Sequence, residues 1–416
     1  MSSDRVRFLE AATRIGRRLC RDAIWADGRC NWLGWTNEPG VKQALPIYRA
    51  MGPLLHDGTA GIGLFLTWLA YFTHDQIVRA TAVGAFAHAL AAVDGLADAG
   101  EYGFYSGLSG IAWCCAESGT LLEDEQLAVR GQAAISRTAR IAPHPQRLSV
   151  FNGSAGLIHV LCTRTEDEAC EELLAAAVRH GDHLLSRAVE TEQGWSWDSP
   201  REHPLLGFAQ GTSGIAAALI TLAWRSGRED FVVAAEQALR HERNYFRPAG
   251  SNSPDLPCLI KLGGEPADAL SWCRGVPGIG FARLLMHRLF PDDAGFLNEA
   301  EAAIATTAAA VAPTAPGVGN FSLCRGDAGN ADLLILAADL LARPDLRCIA
   351  ETAASSAIEQ FEEAALPWPC GGPGGVEIPN LLLGLSGIGY CLLRLYDSRA
   401  VPTVLLPAAG GTLKRF

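Results

Sequence analysis

Two cysteines of this chain are each followed by an arginine and a glycine, in the stretches SWCRGVPGIG (271–280) and SLCRGDAGN (322–330). A cation beside a thiol at a helix N-terminus favours the thiolate, the form of cysteine that attacks carbon or binds a metal. Two guanidinium groups near helix N-termini also suit a carboxylate or a phosphate. A third interpretation is that each arginine only forms a salt bridge with an acid such as Asp57 or Asp327. The two stretches therefore predict a thiolate site, an anion site or a closed structural contact.

Both triplets belong to a pattern, x-Gly-x-x-Gly, that occurs seven times in the chain. Successive copies start 49, 46, 58, 64, 51 and 58 residues apart, which is enough each time for two helices and two connections. The copies are DGTAG (57–61), SGLSG (106–110), NGSAG (152–156), QGTSG (210–214), RGVPG (274–278), RGDAG (325–329) and LGLSG (383–387). Repetition of this period is typical of architectures built from helix pairs.

Apolar runs such as GIGLFLTWLAYF (61–72) follow the motifs and predict buried helices. Segments such as 171–190 and 229–246 lie between them and have one polar face, so they predict amphipathic helices. We expect a single all-α domain over residues 1–416, an α/α toroid with seven inner and seven outer helices. The N-terminal segment 5–25 supplies the first outer helix. An open solenoid with the same helix pairing is the competing interpretation.

Strand signals are sparse, and RCNWLGW (29–35) and GWSWDS (194–199) are interpreted as loops or small hairpins. If each inner helix starts at its motif, the seven motifs gather at one end of the ring and form a common mouth. Helix N-termini carry unpaired N–H groups and a partial positive charge, which suits anions or oxygen atoms that gain charge. The glycines themselves are explained by tight turns and close packing, which leaves the first residue of each motif free for chemistry.

The composition excludes several classes of protein. With 49% hydrophobic and 19% charged residues, the 416-residue chain is too apolar for disorder. Its net charge of -11 argues against binding to nucleic acid or to acidic membrane surfaces. The N-terminus lacks the apolar core of a secretory signal and the apolar runs are too short to span a membrane, so we expect a cytoplasmic protein.

Six blocks, in order, resemble the lanthionine synthetase C family, which includes the cyclase halves of bifunctional lanthipeptide synthetases. They are GFYSGLSGIAW, GFAQGTSGIA, SWCRGVPGIGFAR, SLCRGDAGNADLL, WPCGGPGG and LLLGLSGIGYCLLRL. The resemblance implies an α/α toroid that adds a peptide cysteine thiol to a dehydroalanine or dehydrobutyrine. The substrate would be a precursor peptide modified by a separate dehydratase, because no dehydrating domain is recognised in this chain.

This sequence departs from the family at the metal. The family holds zinc with two cysteines and a histidine, and zinc converts the substrate thiol into a thiolate. Cys273 and Cys324 match the two cysteine ligands, but Arg325 stands in place of the histidine and has no lone pair for a metal. Gln210 and Ser149 replace a histidine and an aspartate that handle protons. A zinc cofactor is therefore disfavoured.

Three function classes follow. The first is a zinc-independent thioether cyclase, the second a divergent enzyme that takes an anionic substrate at an arginine and cysteine pocket, and the third a non-catalytic member that binds a modified peptide or a partner synthetase. The candidate catalytic residues are Arg274, Arg325, Gln210 and Asp57. His56 and Cys370 are the alternatives for a third metal ligand.

Overall fold

A computed structural model of the chain describes residues 3–37, 45–163, 170–197, 205–245, 270–311 and 319–407. The described residues are mainly helical. The helices are α1 (Ser3–Asp22), α2 (Thr59–Thr73), α3 (Gln76–Leu90), α4 (Val93–Asp98), α5 (Leu108–Leu121), α6 (Glu125–Ala139), α7 (Ser154–Cys162), α8 (Cys170–Ser186), α9 (Thr212–Ser226), α10 (Glu229–Arg243), α11 (Val276–Leu289), α12 (Ala294–Val311), α13 (Asp327–Leu341), α14 (Pro344–Ala357) and α15 (Leu385–Tyr396). Helix α14 continues as a π-helical turn, Ile358–Glu363.

Seven of these helices form a closed inner ring. Each begins directly after the first glycine of a motif, and the seven are α2, α5, α7, α9, α11, α13 and α15. Each inner helix packs against the next one, and α15 packs against α2. Closure of the ring excludes the open solenoid and confirms the predicted toroid.

The outer ring covers the inner one. Each outer helix packs mainly against the inner helix that precedes it in the chain, except α1, which packs against the last inner helix, α15. Helix α1 buries Phe8, Ala11, Ala12, Ile15 and Leu19, whose spacing of three or four residues places them on one face. Burial of each larger side chain contributes about 1.5–3 kcal/mol, so the N-terminal helix is firmly held in the ring.

The second glycine of every motif lies against a backbone carbonyl. A Cβ atom at these seven positions would lie 1.8–2.3 Å from the carbonyl oxygen of the residue six positions earlier, closer than any side chain allows. The pairs are Gly61 with Leu55, Gly110 with Phe104, Gly156 with Val150, Gly214 with Phe208, Gly278 with Trp272, Gly329 with Leu323 and Gly387 with Leu381. Only glycine permits this approach, and it sets the start of each inner helix against its own loop.

The described strands form three two-stranded antiparallel hairpins, in agreement with the few strands expected. They pair β1 (Ile24–Ala26) with β2 (Arg29–Asn31), β3 (Leu33–Asn37) with β4 (Pro46–Ala50), and β5 (Ala188–Thr191) with β6 (Gly194–Trp197). Among the described residues, one helical stretch, Gln76–Asp98, is long and apolar enough to cross a membrane, a criterion that core helices of soluble proteins also meet.

The chain returns through the centre of the ring after α15. Val401, Val404, Leu405 and Leu406 are almost fully buried there. The Tyr390 hydroxyl donates to the Pro402 carbonyl at 2.7 Å, and the Arg394 guanidinium donates to the Val401 carbonyl at 2.6 Å. The Thr403 hydroxyl donates to the Asp332 carboxylate, which also pairs with Arg394. We call residues 401–407 the central segment.

Candidate functional site at the mouth of the toroid

Seven backbone hydrogen bonds join the seven motif loops into a closed circle. They involve the residue directly before each motif, with one bond donated by the neighbouring Trp272. The donor N–H and acceptor carbonyl pairs are His56 to Tyr105 (3.0 Å), Tyr105 to Phe151 (3.1 Å), Phe151 to Ala209 (2.7 Å), Ala209 to Cys273 (3.3 Å), Trp272 to Cys324 (3.1 Å), Cys324 to Leu382 (2.8 Å) and Leu382 to His56 (3.0 Å). The circle brings residues from the whole chain to one mouth, and it places the two cysteine loops next to each other.

The two cysteines of the repeated triplet meet at this mouth. Cys273 and Cys324 are 8% and 4% exposed, so both are buried but not sealed from solvent. Their thiols are hydrogen-bonded to each other. The Ser271 hydroxyl oxygen lies 3.7 Å from the Cys273 sulfur. The mouth therefore contains a directly coupled pair of sulfur atoms.

The surroundings shift the pKa values of the two thiols in opposite directions. The hydrogen bond from Cys324 lowers the pKa of Cys273 to about 6, against the effect of burial, and Ser271 and the two arginines act in the same direction. The same hydrogen bond, together with burial, raises the pKa of Cys324 well above its usual range. At neutral pH the pair consists of a thiolate at Cys273 and a thiol at Cys324.

Both predicted arginines lie beside this pair. Arg325 is exposed, and its side chain is hydrogen-bonded to the Cys324 sulfur. Its carbonyl accepts a hydrogen bond from the Asn320 amide at 3.2 Å, which fixes the local backbone. Arg274 is half-buried, and its charge lowers the pKa of Cys273. The structure thus brings together four of the predicted site residues, two cations and two sulfurs.

The other predicted positions lie around the same mouth. The first residue of each of the seven motifs is at least partly exposed. These residues are Asp57, Ser106, Asn152, Gln210, Arg274, Arg325 and Leu383. Burial lowers the pKa of His56, Asp57 raises it and Arg325 lowers it, so these three groups are electrostatic neighbours. Gln210 follows Ala209, whose N–H donates to Cys273. The catalytic roles assigned to Asp57 and Gln210 from the sequence remain predictions.

Ser149, at the position where the family has an aspartate, is used by its own loop. Its hydroxyl donates to the Asn152 side-chain oxygen at 2.8 Å and accepts from the Asn152 N–H at 3.3 Å. This serine therefore closes a turn, and a hydroxyl in such a turn has no role as a base near neutral pH.

The described residues do not fit the zinc site of the family. Within these ranges, no group of three or more histidine, cysteine, aspartate or glutamate side chains is placed to hold a metal ion, so neither His56 nor Cys370 joins the two cysteines. Burial raises the pKa of Cys370 to about 12, so this cysteine is a thiol at neutral pH. Zinc sites use three or four protein ligands, and two cations beside the sulfurs repel a dication. We derive no step through zinc.

Two aromatic residues, Tyr105 and Trp272, lie beside the cysteine loops; the sequence placed Trp272 at the mouth but gave neither residue a catalytic or metal-binding role. The Tyr105 hydroxyl donates to the Val404 carbonyl at 2.8 Å, and the Trp272 indole N–H donates to the Leu405 carbonyl at 3.0 Å. Their rings meet edge to face with centroids 4.9 Å apart. An alignment of the seven repeats could have identified Tyr105 as a residue of the mouth, because it directly precedes its motif, as Cys273 and Cys324 precede theirs.

The closed double ring of helices is an α/α toroid, and its glycine motifs and paired cysteines lie at one mouth. The sequence matches the family described as "Lanthionine synthetase C-like protein" over residues 49–406. The chain belongs to this family, as the resemblance in the sequence predicted.

One solved structure supports the fold. The chain is similar to the structure titled "Nisin cyclase", with a TM-score of 0.62 and 17% identity, covering 87% of this chain and 92% of that one. An unsaturated glucuronyl hydrolase from Bacillus sp. GL1 is more distant, with a TM-score of 0.42 and 14% identity, covering 71% of this chain and 82% of that one. A search of curated proteins finds no match. At 17% identity, the similarity to the nisin cyclase structure describes the fold alone.

Proposed function

We propose that this protein forms thioether rings in a dehydrated ribosomal peptide by adding a cysteine thiol of the peptide to a dehydroalanine or dehydrobutyrine, without zinc. The observation that carries the proposal is the contact between Cys273 and Cys324 at the mouth, beside two guanidinium groups. A pair of adjacent groups with separated pKa values is what general acid and base catalysis requires. Membership of the family supports a peptide substrate.

The Cys273 thiolate acts as the base in this mechanism. It takes the proton of the peptide thiol, and the resulting peptide thiolate attacks the β-carbon of the dehydrated residue. The electron pair of the carbon–carbon double bond moves to the neighbouring carbonyl and gives an enolate. Cys324 then delivers its proton to the α-carbon. A proton passing from Cys273 to Cys324 along their hydrogen bond restores the starting state, so protons and electrons balance.

Arg325 and Arg274 stabilise the enolate oxygen. Arg325 contacts Cys324, the proton donor, so its guanidinium lies near the carbon that is protonated. The seven helix N-termini at the mouth favour the same negative charge. The substrate must arrive with its serine or threonine already dehydrated, so we propose that a separate dehydratase supplies it, and that both proteins work in the cytoplasm.

A synthetic peptide containing one dehydroalanine and one cysteine tests the proposal. Ring formation leaves the peptide mass unchanged but removes the free thiol, so alkylation followed by mass spectrometry measures the rate. We expect wild-type protein to consume the thiol with a chelator such as 1,10-phenanthroline present. Cys273→Ser, Cys324→Ser and Arg325→Gln should each reduce the rate by about 10²-fold or more.

The matched control is Cys348→Ser, because Cys348 is an exposed cysteine on α14. This variant should cyclise the peptide at the wild-type rate. Loss of activity with the chelator would refute the metal-free mechanism. A protein that binds the peptide but forms no ring would instead be the non-catalytic peptide-binding member of the family.

A further inference from the structure

Trp272 connects the cysteine pair to the centre of the molecule. Its side-chain N–H donates to the Leu405 carbonyl, and its backbone N–H donates to the Cys324 carbonyl at 3.1 Å. Its neighbour in the chain is Cys273. A single residue with 1% exposure therefore touches both cysteine loops and the central segment. The Tyr105 ring packs edge to face against the Trp272 ring. The Tyr105 hydroxyl donates to the Val404 carbonyl, which is adjacent to that of Leu405 in the central segment.

The central segment is itself fixed at its lower end. Tyr390, Arg394 and Asp332, on inner helices α15 and α13, hold the backbone or side chains of residues 401–403. The contacts along the segment therefore fall into two groups. The upper group, Tyr105 and Trp272, lies under the sulfurs, and the lower group lies deeper in the ring.

We propose that the central segment is the floor of the site and that Trp272 and Tyr105 are positioning residues, which hold the two sulfur atoms at hydrogen-bonding distance. Neither ring is assigned a step in the reaction. The hydrogen bond from Trp272 to Leu405 anchors the Cys273 loop, and the Trp272 N–H joins that loop to Cys324. Tyr105, bonded to Val404, packs against the Trp272 ring and holds it in place. Loss of an upper contact lets the sulfurs separate, whereas loss of a lower contact leaves the floor bonded to the loops.

The test measures the Cys273 thiol in the full chain without any peptide substrate. The rate of alkylation by iodoacetamide is followed against pH, and the modified cysteine is located by mass spectrometry. The charged and titratable groups around the pair are Arg274, Arg325 and Tyr105; His56 and Asp57 lie near Arg325, and Asp332 lies near Tyr105. Trp272→Phe changes none of them, so it alters the pH profile only through position.

We expect Trp272→Phe to move the midpoint of the wild-type alkylation profile up by about one pH unit or more, toward that of an ordinary thiol. Tyr105→Phe removes the second upper hydrogen bond and should shift it in the same direction. Tyr390→Phe is the matched control, because it removes one hydroxyl donor to the same segment at its lower end. This control should keep the wild-type profile. Circular dichroism establishes that each variant is folded.

Two results would overturn the proposal. One is a wild-type profile in both Trp272→Phe and Tyr105→Phe. The other is an equal shift in Tyr390→Phe, which would mean that general loosening moves the thiols. If Trp272→Phe does not fold, Tyr105→Phe decides alone. The positioning proposal rests on the proposed function only for its meaning in catalysis. The two tests are independent: a protein without cyclase activity can still show the shift of the alkylation midpoint, and an active cyclase can lack it.

Discussion

Arg325 determines the chemistry that the two cysteines can perform. An imidazole at this position would complete a set of three metal ligands, whereas a guanidinium is a fixed cation that donates hydrogen bonds and coordinates nothing. Its contact with Cys324 and its charge near Cys273 favour a thiolate. The same charge opposes a dication between the sulfurs. We therefore propose that this one substitution replaces metal activation of a thiol by electrostatic activation.

Arg325→His tests this account. The new imidazole adds a neutral ligand and removes the cation, so we expect the variant to bind about one zinc ion per chain, with wild-type protein binding none at the mouth. Metal content after dialysis, measured by atomic emission, gives the stoichiometry. Arg274→His is the control, because this arginine follows the other cysteine and does not match the histidine of the family. If the Arg325→His variant contains no zinc, the imidazole at position 325 does not reach the sulfur atoms, and this account is wrong.

The motif glycines act at the scale of the helix and its loop. Gly110 illustrates their role, since a Cβ there would lie 1.8 Å from the Phe104 carbonyl oxygen. Neither backbone can move freely, because the Tyr105 N–H beside Phe104 is bonded to the next loop. Each glycine therefore couples the start of an inner helix to the circle of hydrogen bonds at the mouth.

Gly110→Ala should lower the free energy of unfolding by about 3 kcal/mol or more, because the loop or the helix must shift. Urea denaturation monitored by circular dichroism measures the change. Gly95→Ala in α4 is the matched control, since no atom lies within 4 Å of its Cβ position. That change should be neutral or stabilise the protein by up to about 1 kcal/mol. Equal effects of the two substitutions would contradict the packing argument.

The molecule as a whole buries imidazoles that are neutral when it is folded. Burial lowers the pKa of His159 to about 3. It lowers that of His180 to about 4, with Arg179 and His183 acting in the same direction and the Ile141 carbonyl opposing them. The His180 ring also contacts the Ser154 hydroxyl at 3.0 Å. Both residues take up a proton near pH 6.5 only when the chain unfolds.

Stability should therefore be full above pH 6.5 and fall as the pH drops from 6.5 toward 4, because the unfolded chain binds more protons in this window. Each imidazole contributes a slope of about 1.4 kcal/mol per pH unit. His180→Gln should reduce the slope by one such contribution. Chemical denaturation at a series of pH values measures it. An unchanged slope in the variant would show that His180 does not titrate on unfolding.

The buried ion pairs of the interior could not be predicted from sequence patterns. Arg283, fully buried, pairs with Glu242 at 2.5 Å and with Glu299 at 2.6 Å, across α10, α11 and α12. Such groups must be paired once buried, and removal of one partner leaves a charge in an apolar interior. Sequence patterns place these residues on helices but do not identify their partners, because the partners lie on helices that meet only in the closed ring.

The amino-acid sequence determined the repeat, the helical class and the residues of the mouth. The glycine pairs could be recognised because only glycine tolerates a carbonyl so close, and the Cys-Arg-Gly triplets because a cation next to a thiol changes its acidity. These are local effects, which depend on neighbours in the chain. For the same reason Cys273, Cys324, Arg274 and Arg325 could be named before any geometry was known.

The tertiary structure decided closure, the contact between the sulfurs and the floor beneath them. His56 and Leu382 share a hydrogen bond although 326 positions of the chain separate them (382 − 56). That bond joins backbone atoms, which every residue has, so the sequence does not encode it directly. The return of Val404 and Leu405 through the ring is likewise a long-range packing result. The cysteine that accepts the hydrogen bond between the two sulfurs is the one that is more easily ionised. The direction of this hydrogen bond is set only where the two loops, distant in the sequence, meet.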